Sequence, residues 1–296
     1  MPVAPIARRG SPGQGNIRAA MTITDFHTHA FPDPLAERAI RTLEAETVAV
    51  QARLDGKLSS LLASMDSAGI GRCVVCSIAT RPEQFDPIMR WSRQIRSARV
   101  FPFPSVHPRD GHVPQRVACI AEAGFAGIKM HPYYQDFVLD DPLLDPLYEA
   151  VVSADLMLVM HTGFDIAFPR IRRCDPRRIL NVIRRFPNLK LVATHLGAWD
   201  DWEEVRRHVL GREILIEISY SLECLPPNAA RQMLLRHPED YLLFGTDSPW
   251  QDQAEALALL RSMDLGAARE RKILCANAER LLGIGSPGLQ DDLATG

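Results

Sequence analysis

The sequence predicts one α/β domain folded as a (β/α)8 TIM-like barrel, spanning residues 21–283. From Met21 onward, short apolar runs alternate with longer amphipathic segments, a pattern typical of repeated βα units with a parallel sheet. Eight such units follow one another, which predicts a closed barrel and leaves no room for a second domain. The 296 residues, 46% of them hydrophobic, suffice for one large core, since barrels of this kind take roughly 250 residues.

The eight predicted strands are the short apolar runs. They lie at residues 22–27, 72–78, 100–106, 125–130, 156–160, 190–194, 213–219 and 241–245. The third run is the least regular, because it contains Pro102 and Pro104. Proline fits poorly in a central strand since it has no N–H to donate to the neighbouring strand.

The predicted helices are the amphipathic segments between these runs. They lie at residues 35–50, 57–68, 82–97, 114–123, 142–154, 175–186, 201–210, 227–237, 253–263 and 267–282. Gly69 and Gly124 follow two of them, and glycine commonly ends a helix. Pro82 suits a first helical turn, and Asp175 is placed to cap the helix that begins at Pro176.

The two ends of the chain differ in composition from the predicted barrel. Residues 1–20 contain proline, glycine, serine and three arginines but no acidic residue and no apolar core. We expect a disordered extension there, with Met21 as the natural start; a targeting peptide is the alternative. Residues 284–296 are rich in glycine, proline and aspartate and are expected to form a flexible tail.

Composition narrows the classes of partner. The net charge is −2, with 34 basic and 36 acidic residues. The sequence therefore predicts no positive electrostatic field that would attract nucleic acid or an anionic membrane. No apolar run approaches the ~20 residues of a membrane span. Six scattered cysteines favour reduced core thiols in a cytoplasmic protein. Cys73 and Cys76 would face opposite sides of a strand, which argues against a zinc or redox pair.

A short motif at the end of the first strand carries the strongest chemical signal. His27 and His29 are one strand repeat apart and should point the same way, so both imidazoles can bind one metal. A pair of ordinary surface histidines is the alternative. The metal interpretation gains weight because six of the nine histidines fall at strand ends. The strand-end groups are His27, His29, His107, His131, His161 and His195, together with Lys129 and Asp247.

Barrel enzymes place their chemistry at the carboxyl ends of the strands, where these groups fall. Imidazoles and a carboxylate bind Zn²⁺ or a similar ion while leaving a position for water, whose pKa the metal lowers towards ~7. His195 and Asp247 are placed to manage the protons of the reaction. A serine hydrolase elbow and the glycine patterns of phosphate-binding loops are absent from the sequence.

The ordered set of motifs resembles the amidohydrolase superfamily. More narrowly, it resembles the amidohydrolase-related branch that includes aminocarboxymuconate-semialdehyde decarboxylase and many metal-dependent hydrolases. The resemblance extends from about Met21 to Leu282. The motifs are Asp-Phe-His-Thr-His at 25–29, Gly-Ile-Lys-Met-His-Pro at 127–132, Val-Met-His-Thr-Gly at 159–163, Ala-Thr-His-Leu-Gly at 193–197 and Phe-Gly-Thr-Asp-Ser-Pro-Trp at 244–250.

The resemblance implies roles for the strand-end residues. His27, His29, His161 and Asp247 would bind one divalent ion, with Zn²⁺ expected first and Mn²⁺ or Fe²⁺ as alternatives. His195 would act beside the metal as acid or base. In binuclear relatives a strand-four lysine is carboxylated and bridges two metals. For Lys129 an unmodified amine that contacts substrate or pairs with an acid is favoured, and an ion pair at the barrel mouth is a further alternative.

Loop residues around the predicted site suggest a substrate class. Aromatic residues in the strand-to-helix loops would form the wall of a small-molecule pocket, or would serve only loop packing. These are Phe31, Tyr133, Tyr134, Phe164, Phe168 and Trp250. The arginines at positions 170, 172, 173, 177 and 178 suggest a carboxylate substrate, unless they are solvated surface residues. The predicted substrate-binding residues are Lys129, His131, His107, Trp250, Tyr133 and Arg170.

Three functions follow from this reading. The first is a metal-dependent hydrolase that attacks a C–N or C–O bond of a small carboxylate-bearing compound with metal-bound hydroxide. The second, at the same site, is a non-oxidative decarboxylase or a hydratase of an unsaturated acid. The third is a catalytically silent scaffold, which has no need of so many metal-binding groups. Barrels of this branch often pair, so a homodimer is an expectation of the resemblance.

Overall fold

The structure, a computed structural model, describes residues 21–47 and 50–284. Strands and helices alternate along the chain, as the sequence predicts. The strands are β1 (Ile23–Thr28), β2 (Ile70–Cys76), β3 (Val100–Phe103), β4 (Gly127–Met130), β5 (Met157–Met160), β6 (Lys190–Ala193), β7 (Leu215–Glu217) and β8 (Leu242–Leu243). The predicted extension at residues 1–20 lies outside the described residues, as does all of the predicted tail except residue 284.

The helices follow their strands in order along the chain. They are α1 (Asp33–Glu46), α2 (Leu58–Ala68), α3 (Phe85–Ile95), α4 (Val113–Glu122), α5 (Asp145–Ser153), α6 (Pro176–Arg185), α7 (Trp202–His208), α8 (Pro227–Arg236), α9 (Gln253–Ser262), α10 (Ala267–Arg271) and α11 (Asn277–Leu282). Within the described ranges, none of them is long and apolar enough to cross a membrane.

All neighbouring strands are parallel, in the orders β1-β2-β3 and β4-β5-β6-β7-β8. Backbone hydrogen bonds join the two groups at both of their edges. The N–H of Lys129 donates to the carbonyl of Pro104 at 2.8 Å, and the N–H of Phe26 donates to the carbonyl of Phe244 at 2.7 Å. Parallel strands linked by helices and neighbouring in chain order form the predicted (β/α)8 fold, which is confirmed.

Two buried clusters make up the core. The smaller one lies among alternate side chains of the strands, such as Phe26, Phe103 and Val159, and fills the inside of the strand ring. The larger one packs the outward side chains of the strands against the helices. Cys73 belongs to the larger cluster and Cys76 to the smaller one, and both thiols are free. The two sulfurs therefore point away from each other, as predicted.

Several helix boundaries differ from the prediction. The helix predicted at 35–50 begins at Asp33, beside Pro34, and ends at Glu46; Thr47 is extended with φ −134°. The helices predicted at 82–97 and 142–154 each begin with one 3₁₀ turn. The segment predicted as one helix at 267–282 contains a π-helical turn at Lys272–Ala276. Local propensity defines helix ends poorly because packing and backbone hydrogen bonds decide them.

The buried His237 makes the stability of the fold depend on pH in the acid range. It follows α8, and its Nε2 lies 2.8 Å from the carbonyl oxygen of Ile214, to which it can donate. Burial lowers its pKa from 6.5 to about 4. Between pH 6.5 and pH 4 the unfolded chain binds a proton at His237 and the folded chain does not. The contribution of His237 to the free energy of unfolding is therefore complete above pH 6.5 and is lost as the pH falls towards 4.

We therefore predict that His237→Asn flattens the acid side of the stability profile. Between pH 6.5 and pH 4 the unfolding free energy of the variant should fall by about 3 kcal/mol less than that of the parent. Urea denaturation at several pH values, with chelator present, measures this slope. The same substitution at the exposed His112 should leave the slope unchanged, and parallel profiles for His237→Asn and the parent would contradict the prediction.

Candidate metal centre

The ends of β1 and β8 bring three ligand-type atoms together. Nε2 of His29 lies 3.1 Å from Oδ1 of Asp247, and Nε2 of His27 lies 3.3 Å from the same oxygen. The two Nε2 atoms are 3.2 Å apart. Asp247 lies 220 positions after His27 in the sequence. The two meet because the barrel closes between its first and last strands, where the N–H of Asp247 donates to the carbonyl of His27 at 2.7 Å.

The other ring nitrogen of each histidine is held by the protein. Nδ1 of His29 lies 2.8 Å from the carbonyl oxygen of Cys76, and Nδ1 of His27 lies 3.0 Å from Oε1 of Glu217. When Nδ1–H donates in this way, the lone pair of Nε2 faces Asp247. Such rings suit a divalent ion, because imidazole binds metal through a neutral nitrogen whose other nitrogen is hydrogen-bonded.

The electrostatic state of these groups also fits a cation. Burial and the nearby Lys129 hold the pKa of His27 well below its ordinary value, so the ring is neutral at pH 7. Burial opposes ionisation of Asp247, but His27 and His29 outweigh it and keep the pKa of this carboxyl below its usual range. Imidazole nitrogens and a carboxylate oxygen are ligands that Zn²⁺ and similar ions accept.

His195 and His161 lie beside this set. Nε2 of His195 is 3.1 Å from Nδ1 of His161, and the rings of His195 and His27 are 5.4 Å apart between centroids. The ligand atom of His161 does not lie within 4.8 Å of those of His27, His29 and Asp247 together. In the described part of the chain, His161 instead forms such a group with His131 and Asp165. Of the four predicted ligands, three meet directly and His161 contacts them through His195.

Lys129 reaches the centre from β4. Its side chain is 1% exposed, and its Nζ lies 2.9 Å from Nε2 of His27. Among residues 21–47 and 50–284, no carboxylate lies within ion-pair distance of this ammonium. The predicted pairing of Lys129 with an acid is therefore not seen. A buried ammonium beside the candidate metal position is instead available to an anion.

Backbone strain is concentrated at the same strand ends. His195, Leu196 and Asp247 have φ values of +58°, +55° and +59°, a left-handed conformation that costs roughly 1–2 kcal/mol for a residue with a side chain. Hydrogen bonds hold this geometry: the N–H of Leu196 donates to the carbonyl of Glu217 at 2.8 Å. Strain of this kind is typical of residues whose side chains are aimed at a functional site.

Two buried carboxylates next to the centre were given no role in the sequence analysis, although Asp25 belongs to the first motif. Glu217 on β7 is 0% exposed and contacts His27. Asp25 accepts hydrogen bonds from Thr246 N–H, Thr246 Oγ1 and Gln253 Nε2 at 2.6 to 3.0 Å, and so ties β1 to the segment after β8. Burial raises the pKa of Asp25 to about 7 despite these bonds. The available signal was an acidic residue inside an otherwise apolar strand.

The predicted substrate-binding residues divide into two groups. His131 stacks on His161 with centroids 4.0 Å apart, and its Nε2 lies 3.3 Å from Oδ2 of Asp165. The ring of Tyr133 lies 5.9 Å from that of His161, but its hydroxyl is 2.7 Å from the carbonyl oxygen of Ile171 and holds the loop. Together with Lys129, these residues do adjoin the centre.

His107, Trp250 and Arg170 do not contact the site histidines in the described structure. Nδ1 of His107 accepts from the N–H of Arg109 at 3.2 Å. The side chain of Trp250 is half-buried. Arg170 is 60% exposed and pairs with Asp200. The other loop arginines are also paired, with the acids at 136, 140, 201 and 204, so surface ion pairs account for this cluster.

The predicted aromatic wall is partly assembled. Phe168 packs against both Tyr133 and Tyr134, with ring centroids 5.4 and 4.9 Å apart. The ring of Tyr134 lies 4.8 Å from that of His131. Phe164 lies under the guanidinium of Arg170, 3.9 Å from it, and so serves loop packing. The aromatic side chains nearest to the centre thus cover the side formed by β4 and β5.

Comparison with solved structures shows the same fold in other proteins. An uncharacterised TIM-barrel protein of Bordetella bronchiseptica is 20% identical, with a TM-score of 0.72 over 89% of this chain and 99% of that one. The 5-carboxyvanillate decarboxylase of Sphingomonas paucimobilis is 15% identical, with a TM-score of 0.68 over 90% and 100%. That of Novosphingobium aromaticivorans, complexed with manganese and a nitrobenzoic acid, is 17% identical, with 0.66 over 90% and 97%.

Sequence comparison assigns the family. No curated protein matches the chain. The family model described as amidohydrolase, however, matches residues 24–284, which include every residue of the candidate metal centre. The resemblance drawn from the motifs is thereby confirmed, and the chain belongs to the amidohydrolase family of metal-dependent enzymes.

Proposed function

We propose that this protein is a metal-dependent carboxy-lyase that removes CO₂, without oxidation, from a small aromatic or unsaturated carboxylic acid. The observation that carries the proposal is the buried ammonium of Lys129, 2.9 Å from Nε2 of His27 and without a carboxylate partner among the described residues. A substrate carboxylate would supply the missing negative charge. Two of the similar structures are decarboxylases of an aromatic acid, which supports the same reaction.

The residues proposed to hold the ion are His27, His29, His161 and Asp247. When bound, the ion supplies a positive charge that polarises substrate oxygens and lowers the pKa of a bound water. Zn²⁺ suits the nitrogen-rich ligand set. Mn²⁺ is the alternative, since a similar structure contains manganese.

The protein's own residues account for the proton that the reaction needs. As the carbon–carbon bond to the carboxylate breaks, CO₂ leaves and the electron pair stays on the substrate carbon. We assign delivery of a proton to that carbon to Nε2 of His195, whose ring would carry a proton on both nitrogens for this step and would regain the transferred proton from water. Its Nδ1 lies 3.1 Å from the carbonyl of Ser219, to which it can donate, so Nε2 is the nitrogen facing the site. Asp247 is proposed to assist by accepting and returning protons beside His195.

Hydrolysis of a C–N or C–O bond is the second candidate. It was the first choice from the motifs, and the description of the matching family favours it. The same His195 would then act as a base towards water rather than as an acid towards carbon. The similar solved structures favour the decarboxylase.

A paired assay tests the proposal. Hydroxybenzoic and unsaturated carboxylic acids would be screened for CO₂ release, and lactones and amides for hydrolysis, with metal content measured on the same sample. We expect CO₂ release equal to substrate consumed, abolished by a chelator and restored by Zn²⁺ or Mn²⁺, with about one ion per chain. Hydrolysis without CO₂ release would overturn the carboxy-lyase. Two ions per chain would favour a carboxylated Lys129.

A further inference from the structure

The carboxylate of Glu217 contacts both sides of the candidate centre. Its Oε1 lies 3.0 Å from Nδ1 of His27 and accepts from the backbone N–H of His195 at 2.9 Å. The hydroxyl of Ser219 donates to the same oxygen at 2.8 Å, and the N–H of Ser219 donates to Oε2 at 2.9 Å. One fully buried carboxylate is thus surrounded by donors that belong to the site or to its own strand end.

Ser219 extends the contact from the His195 backbone to its ring. Nδ1 of His195 lies 3.1 Å from the carbonyl oxygen of Ser219 and 3.1 Å from its hydroxyl oxygen. The hydroxyl oxygen also lies 3.1 Å from Nδ1 of His27. Both imidazoles therefore present Nδ1 to Ser219, and Nδ1 of His27 also contacts Glu217. In both rings Nε2 is left facing the site.

The neighbouring strand leaves room for this carboxylate. Gly245, two residues after the end of β8, lies directly against the carboxylate of Glu217 on the adjacent β7. A Cβ at position 245 would lie 2.1 Å from Oε2 of Glu217 and 3.0 Å from Cβ of His27. No side chain fits at such distances, so glycine at this position is explained by the close approach of the carboxylate.

From these contacts we infer that Glu217 is a positioning residue that orients both the metal ligand His27 and the proton-transferring His195. Donation from Nδ1–H of His27 to a carboxylate selects the tautomer with a free lone pair on Nε2 and makes that nitrogen a better ligand. The bond to the His195 backbone holds a residue whose φ of +58° is otherwise unfavourable. This inference rests on the proposed function, because it takes His27 as a ligand.

Glu217→Gln tests the inference with little change in size. The amide of glutamine has one NH₂ group, which must replace one of the two carboxylate oxygens. In one orientation this NH₂ meets the N–H donors of His27 and His195, and in the other it meets the N–H of Ser219, so at least one hydrogen bond to Glu217 is lost. We expect the affinity for Zn²⁺, measured by competition with a chromophoric chelator, to fall about 10- to 100-fold. The visible absorption bands of the Co²⁺-loaded protein should shift. Glu213→Gln, at an exposed position four residues earlier, should change neither quantity.

A second variant covers the case in which Glu217→Gln does not fold. Ser219→Ala keeps the carboxylate but removes its hydroxyl donor, so a smaller loss of Zn²⁺ affinity and a smaller spectral shift are expected. Failure of the parent protein to bind Zn²⁺ would refute the proposed function itself. If the parent binds Zn²⁺, a folded Glu217→Gln with affinity and spectrum equal to the parent overturns the inference. An unchanged Ser219→Ala beside an unfolded Glu217→Gln overturns it as well.

Discussion

Replacing His195 with asparagine is expected to lower kcat by about 10³-fold while the protein retains its metal. Asparagine can neither donate nor accept a proton at neutral pH, and a positioned acid or base contributes about 10²- to 10⁴-fold to rate. Asparagine also tolerates the positive φ of this position. Turnover would be measured with a substrate found in the CO₂ screen, and metal content by elemental analysis of the same preparation.

Two comparisons make this result interpretable. His208→Asn changes a histidine on α7 that pairs with Glu204 outside the site, and it should leave turnover unchanged. Metal content separates the possible roles of His195. If His195→Asn loses its metal together with its activity, His195 is a ligand rather than the acid or base, and the proposed assignment of the proton step is wrong.

Asp247→Asn is expected to weaken metal binding by more than about 100-fold, because changes outside the ligand set alone account for about 10- to 100-fold. The substitution removes the only carboxylate in the set formed with His27 and His29, and with it the negative charge that offsets the cation. Equilibrium dialysis against a Zn²⁺ buffer, followed by elemental analysis, measures the loss. Activity should fall in parallel and should return in part at high Zn²⁺ concentration.

Asp264→Asn is a closely matched control for this experiment. Asp264 also has a positive φ, +48°, but it is exposed and lies between α9 and α10. Both variants exchange aspartate for asparagine, and these two residues tolerate a left-handed conformation about equally well, so backbone strain changes little in either. Asp264→Asn should bind Zn²⁺ like the parent. Undiminished Zn²⁺ binding by Asp247→Asn would remove Asp247 from the ligand set and would contradict the proposed centre.

Predictions from the sequence were most accurate where the pattern was local. Strand β5 was predicted at 156–160 and runs from Met157 to Met160. The pair His27 and His29 meets as predicted, although the register between β1 and β2 is irregular between Asp25 and Thr28. Predictions were weakest for the loop arginines, since Arg170 pairs with Asp200, 30 positions away. Nothing in the arginine cluster itself indicates which acids will lie opposite it.

What the sequence by itself determined is the architecture and the end of the barrel at which the candidate site residues lie. Hydrophobic periodicity encodes the alternation of strands and helices, and parallel strands place their carboxyl ends together whatever fills the loops. Only the tertiary structure decided which atoms meet. Glu217 contacts His27 across 190 positions, and Lys129 approaches the same ring across 102. Such contacts depend on strand closure and on side-chain packing between distant segments, which no local pattern records.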